Sequence, residues 1–196
     1  MTVRIARARG AEMAAHLDAL AALRIRVFRE YPYLYDGSVE YERRYLAGYA
    51  RSPDALVVLA LDGDAVVGAS TALPAVDHSD EIAPALARGG LDPAAVFYFG
   101  ESLLEPAYRG RGLGAAFFAE RERQARERGY RVAAFCAVER PSDHPACPAD
   151  YRQPGGLWRR HGFVRRPEMV GELSWRDLGD TEETAKPMVF WVKELG

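Results

Sequence analysis

Lysine is nearly missing from this chain: Lys186 and Lys193 are the only two in a basic set that is otherwise all arginine. Cysteine is as scarce. Cys136 and Cys147 form no CxxC pair and no disulfide framework, and together with His144 and His161 they lack the compact spacing of a zinc site, so no structural metal is expected. No apolar run approaches the roughly 18 residues of a membrane span, and no basic-then-apolar segment opens the chain; the expectation is a soluble, cytoplasmic protein with no membrane partner. An excess of charge is absent too. The formal net charge of −2 gives no general pull toward nucleic acid. Repeats and domain linkers are not seen, and 196 residues suffice for one substantial core, so 1–196 reads as a single domain.

What is present is periodic. Val3 and Ile5 mark a short strand over Thr2 to Ala8. Leu17, Leu20, Leu23, Val27 and Phe28 recur every three or four residues, which makes Glu12 to Glu30 a long or broken helix. Tyr31-Pro32 ends it, because the residue before a proline is pushed out of the helical region. A second helix over Val39 to Tyr49, preceded by Ser38, turns Tyr41, Tyr45, Leu46 and Tyr49 inward. Ala55 to Leu61 and Ala65 to Leu73 flank Asp62-Gly63-Asp64, whose glycine supplies the positive φ of a tight hairpin. A short helix over Ile82 to Arg88 runs into Gly89-Gly90, and Ala95 to Leu104 reads as a buried central strand. Leu113 to Arg128 is helical, with Leu113, Ala116, Phe117 and Ala125 inward and the Glu/Arg-rich remainder in water. Gly129 is its C-cap and Tyr130 to Val138 begins the next strand. Glu139 to Gly156, rich in Pro, Asp and His, is a loop over a surface or a site. A short helix over Leu157 to His161 stops at Gly162, and strands over Glu168 to Trp175 and Met188 to Leu195 close an α+β layout with a mixed sheet.

The chemistry concentrates between Tyr98 and Ala115, where an apolar strand meets a loop of arginines and glycines and then a helix. N–H groups at a helix start lack intrahelical partners, and Gly110, Gly112 and Gly114 let several of them converge on an anion, with Arg109 and Arg111 adding positive charge. An ordinary glycine-rich turn with two solvated arginines would look much the same. Gly110-x-Gly112-x-x-Ala115 also meets the loose dinucleotide-binding fingerprint of an oxidoreductase. That motif wants an acid about 20 residues on, however, and Tyr130 to Ala134 offers none.

Arg109-x-x-Gly112-x-Gly114, with Pro106 and a strand before it and an amphipathic helix after it, resembles the acyl-CoA pyrophosphate loop of the GNAT family of N-acetyltransferases. The order of elements resembles that fold over nearly the full chain. The resemblance implies a mixed, centrally splayed β-sheet flanked by helices, and an acetyl-CoA-dependent transfer to a small-molecule amine by direct attack in a ternary complex. Leu103 and Leu104 would offer backbone groups to the pantetheine amides, while Arg109, Gly110, Arg111, Gly112, Leu113, Gly114 and Ala115 would wrap the pyrophosphate. Glu101, a carboxylate in an apolar strand, reads as a direct or water-mediated base or as a salt-bridged structural group. Relatives that use a strand glutamate often place it farther upstream, where this chain has Tyr98, so Tyr98 reads as part of a water relay or as a core aromatic.

The family's second signature falls on Trp158-Arg159-Arg160-His161-Gly162-Phe163, with tryptophan where many members carry an acid-donating tyrosine. Indole does not do that chemistry, so Trp158 is expected to pack beside the CoA arm. Tyr151, His144, Cys136 or water would supply the proton instead, Tyr151 first among them. Tyr33 and Tyr35, between the first two helices with Asp36, would line the substrate mouth or form a rigid turn. Trp175, Phe190 and Trp191 fit either a homodimer contact or a filled monomer core. A catalytically inactive acyl-CoA sensor on the same fold is the alternative function.

Overall fold

Gly63, at φ +60, turns Leu56–Asp62 (β2) onto Ala65–Pro74 (β3) as an antiparallel hairpin in the computed structural model, which describes residues 2–78 and 81–196. Arg4–Ala8 (β1) pairs with the far side of β2, and Val96–Leu104 (β4) pairs antiparallel with β3. The chain then crosses through a helix, Leu113–Glu127 (α5), so that Val132–Val138 (β5) lies parallel to β4, the pairing that needs such a crossover. Val164–Arg176 (β6) and Glu183–Glu194 (β7) complete a 7-stranded sheet in the order β1-β2-β3-β4-β5-β7-β6.

Helices cover both faces. Ala11–Ala14 (α1), Leu17–Phe28 (α2), Val39–Arg51 (α3) and Ile82–Arg88 (α4) bury Met13, Leu20, Leu23, Leu46 and Leu86 with Leu59, Tyr98 and Phe190 of the sheet. On the other face, α5 and Gly155–Arg160 (α6) pack against Phe97, Phe99, Phe135 and Trp191. The first helical segment is broken at Ala15 and His16, and the closing strands are longer than their apolar residues alone suggest, because their outer halves pair with each other.

Hydropathy misassigned two helix faces. Tyr41 is 45% exposed, whereas its neighbour Glu42 is fully buried, because Glu42 turns inward to an arginine on α2. On α5, Arg121, Glu122 and Gln124 are buried rather than solvated. The Arg121 guanidinium donates to the Phe117 carbonyl at 3.3 Å, the Glu101 carbonyl at 3.3 Å and the Ser102 hydroxyl at 2.9 Å, and lies 4.5 Å over the Phe99 ring. Burial pushes its pKa down to about 9. Trp175, Phe190 and Trp191 are all buried within the chain.

Two irregularities in β4 prepare a site. β4 and β5 pair only through Val96↔Val132, Phe97↔Ala133 and Tyr98↔Ala134; past Tyr98 each strand keeps its outer neighbour and the two part, which is the expected central splay. The β3–β4 register also jumps from Ala72↔Phe99 to Ser70↔Ser102, so Gly100 and Glu101 together oppose Thr71 as a bulge. Strand alternation would put Gly100 and Ser102 on the face of Tyr98. The extra residue instead moves Glu101 there, along with Leu103, which shares a core with Tyr98.

Candidate active site at the parting of two strands

Beyond Leu104 the chain makes a single 3-10 turn, Pro106–Tyr108, and reaches Gly110 and Gly112 at φ +75 and +81. Gly112 is the N-cap of α5, and no side chain caps that helix. An added Cβ at Gly110 or Gly112 would meet nothing within 4 Å. The left-handed backbone and the open space together leave the first N–H groups of a 15-residue helix turned to an open cradle, which suits a pyrophosphate. Arg111 lies 5.0 Å over the Tyr108 ring, and Tyr108 is held by a 2.7 Å hydrogen bond to Asp62. Arg109 is engaged within the protein, donating to the Leu104 carbonyl at 3.1 Å and to Glu30 at 2.8 Å. Glu105 is paired with Arg26 at 2.7 Å, which offsets the carboxylate nearest the loop. Leu103 and Leu104 belong to the stretch of β4 that has left β5, and Leu157 of α6 seats against Gly114.

At the floor of the splay Glu101 is buried and fully engaged. Arg24 of α2 bonds Glu101 through Nη1 and Glu42 through Nε, Tyr45 donates to Glu101 Oε1 at 2.7 Å, and Thr71 donates to Oε2 while accepting the Glu101 N–H at 3.0 Å. Burial works against the carboxylate, but the Arg24 charge and the Thr71 and Tyr45 hydrogen bonds outweigh it and hold the pKa below the ordinary value. Arg24, between two carboxylates, is held firmly in its charged form against its own burial.

Tyr98, the last residue of β4 to pair with β5, places its hydroxyl 3.0 Å from the Cys136 sulfur across the gap. Burial, then Cys136, raises the Tyr98 pKa well above its ordinary value, and burial pushes the Cys136 thiol up to about 12, so both stay protonated near neutrality. Tyr33 faces the same region: burial and then the neighbouring Cys136, Glu101 and Tyr151 raise its pKa, and its ring packs 4.4 Å from Phe28. Residues 139–154 fold across this end, tied down by Arg140, which bonds Asp177 at 2.7 and 2.8 Å and the Pro32 and Tyr33 carbonyls at 2.9 and 3.0 Å. Tyr151 on this loop meets Tyr31 edge-on at 4.7 Å, and burial and Cys147 raise its pKa.

Thus Tyr33, Tyr98, Glu101 and Tyr151 are drawn toward one another. Tyr35 goes elsewhere: its ring lies beside Glu42 and lines a surface cavity of about 320 Å³ with Asp36, Tyr41, Arg44, Trp175 and Glu183. Trp158 packs against Phe135 at 5.1 Å and Trp191 at 4.9 Å, on the α5 side of the sheet. Sequence reading passed over Arg24, Glu42, Thr71 and His78. A buried Arg24 inside an apolar helical stripe was the one available signal. Among the described residues no three His, Cys, Asp or Glu side chains gather as a metal site, and no helix is long and apolar enough to cross a membrane.

The fold is shared with solved acetyltransferases at low identity. The ribosomal-protein-alanine N-acetyltransferase of Brucella melitensis superposes with a TM-score of 0.62 at 19% identity, over 97% of this chain and 99% of that one. YncA of Salmonella typhimurium, solved with its cofactor acetyl-CoA, gives 0.64 at 13% identity over 100% and 95% of the two chains. The PaiA N-acetyltransferase of Thermoplasma acidophilum, in complex with coenzyme A, gives 0.56 at 12% over 99% of each. No curated protein matches the chain. The profile described as the Acetyltransferase (GNAT) family matches residues 17–151, and the chain, with its parted central strands and glycine-turned helix start, belongs to that family.

Proposed function

We propose that this protein is an acetyl-CoA-dependent N-acetyltransferase that acts on the primary amine of a small molecule in a ternary complex. One observation carries the reading: β4 leaves β5 after Tyr98 and leads through one short turn to the glycine-turned N-terminus of α5, so a single track joins an anion cradle to a buried polar cluster. The cofactors named for YncA and PaiA support the same track. Bound there, acetyl-CoA supplies an activated acetyl thioester.

The chain's own residues do the rest. The N–H groups from Gly110 to Ala115 and the Arg111 charge hold the pyrophosphate, and Arg109 fixes the loop to Leu104. The backbone of Leu103 and Leu104, freed from β5, holds the pantetheine amides, and Trp158 stiffens the α6 side. Ionised Glu101 lends its charge to removal of the acceptor's proton, and the protonated phenols of Tyr98 and Tyr151 stand ready as donors. Tyr33 packs against the acceptor, while Tyr35 lines the outer cavity.

Release of free thiol from acetyl-CoA, measured across a panel of small primary amines, tests this. Amine-dependent release is expected. Tight acetyl-CoA binding with no turnover of any amine would instead favour an acyl-CoA sensor, a reading that Trp158 in place of tyrosine keeps in view. Absence of acetyl-CoA binding would overturn both.

A further inference from the structure

β3 ends at Pro74, and the single turn Ala75–Asp77 carries the chain back over the sheet to His78. The His78 ring meets Tyr98 edge-on with centroids 4.7 Å apart and lies 6.4 and 6.3 Å from Tyr45 and Tyr49. Since Tyr98 is the last residue before β4 and β5 part, this half-buried imidazole packs against the residue at which the two strands separate. Beneath it runs a polar chain: the Tyr45 and Tyr49 hydroxyls are 3.1 Å apart, and Tyr45 donates to Glu101 at 2.7 Å.

An alkyl amine arrives protonated near neutrality and must lose that proton to attack a thioester. Glu101 is a poor final acceptor. Arg24, Tyr45 and Thr71 already occupy its oxygens, and accepting a proton would break a buried ion pair. We propose that His78 is the base that takes the proton from the acceptor amine, a role that rests on the N-acetyltransferase reading above. The imidazole takes one proton from the ammonium and passes it to bulk water. The neutral nitrogen then forms a bond to the acetyl carbon as the carbon–sulfur bond breaks. The Tyr98 or Tyr151 phenol gives the departing sulfur a proton and recovers the second proton from the nitrogen, so CoA leaves as thiol.

The surroundings suit the task. Around the ring stand Arg24 of α2, Tyr45 and Tyr49 of α3, Glu81 before α4, and Tyr98 and Glu101 of β4. Burial lowers the His78 pKa, and Arg24 acts in the same direction. Glu101 and Glu81 oppose them without cancelling the effect, so the neutral, proton-accepting form prevails at pH 7. Glu101 thereby keeps the imidazole basic enough to act without itself receiving the proton.

Two measurements decide the matter. In the wild-type protein, imidazole NMR shifts followed against pH should show His78 titrating below the usual histidine value of about 6.5. In His78→Gln, acetyl transfer to the best alkyl amine of the panel should fall roughly 10²-fold at pH 7, with unchanged acetyl-CoA affinity and loss of the acidic limb of the kcat/KM profile. Transfer to hydroxylamine, which is already neutral at that pH, should fall far less. A wild-type rate and pH profile in His78→Gln overturns the assignment while leaving the N-acetyltransferase reading intact. No turnover of any amine by the wild type removes both. Should His78→Gln fail to fold, the wild-type titration decides alone, and an imidazole protonated at pH 7 overturns the proposal.

Discussion

Arg24 ties α2 to α3 and to the sheet through one guanidinium, since Glu42 and Glu101 both bond to it and all three side chains are buried. Arg24→Ala would leave two carboxylates facing each other without a cation, and removing one partner of such a buried cluster costs about 3–5 kcal/mol. The urea midpoint should drop accordingly, whereas an exposed pair such as Arg43 with Asp18 should hardly register when broken. The Glu101 pKa lies below its ordinary 4.5, so the stability it contributes is complete above that value and is lost as pH falls through the lower, folded-state value. Wild-type stability should therefore decline more steeply below about pH 4.5 than that of Glu101→Gln. The same variant should keep its acetyl-CoA affinity and lose roughly 10²-fold in acyl transfer, as the carboxylate charge that supports deprotonation disappears. Glu101 was legible in the sequence as a charge that packing did not explain. Its partners were not, because Arg24 lies 77 positions away and pairing across that separation leaves no local pattern.

At the scale of elements, a bulge and a helix start do most of the positioning. Gly100 has no room for a side chain: an added Cβ would overlap the Thr71 and Tyr49 hydroxyl oxygens. Gly100→Ala should destabilise by about 1–3 kcal/mol through overpacking, and should disturb the Glu101 cluster ahead of the rest of the sheet. Amide exchange that quickened first at Thr71 and Glu101 would report this; uniform loosening would contradict it. Gly112 presents the opposite case, with space for a side chain but a backbone at φ +81. Gly112→Glu should strain that turn by about 1 kcal/mol and set a carboxylate in the anion cradle, abolishing acetyl-CoA binding in a calorimetric titration while the fold persists. Equal affinity in variant and wild type would remove the loop from the site. The loop, the hairpin at Gly63 and α4 were readable because glycine and apolar spacing act locally. The bulge was not, since it appears only when β3 supplies the facing register.

For the whole molecule, the α+β class followed from the order of periodic segments, and the family from one loop with a matching sequence of elements around it. The path of the closing strands was less plain. β7 inserts between β5 and β6, a placement set by Phe190 and Trp191 filling opposite faces of the sheet. The polar side of α5 was misread for a similar reason, because Arg121 finds its acceptors on β4 and not on its own helix. These long-range choices bear on function, since they leave β4 and β5 attached to different neighbours and free to part after Tyr98. A crystal structure of the protein with acetyl-CoA tests that claim most directly. The account predicts the pyrophosphate at the N–H groups of Gly110 to Ala115, the pantetheine arm along Leu103 and Leu104, and the acetyl group near Tyr98 with His78 on the acceptor side. Acetyl-CoA bound elsewhere, with the gap between β4 and β5 closed or filled by the protein's own side chains, would contradict it.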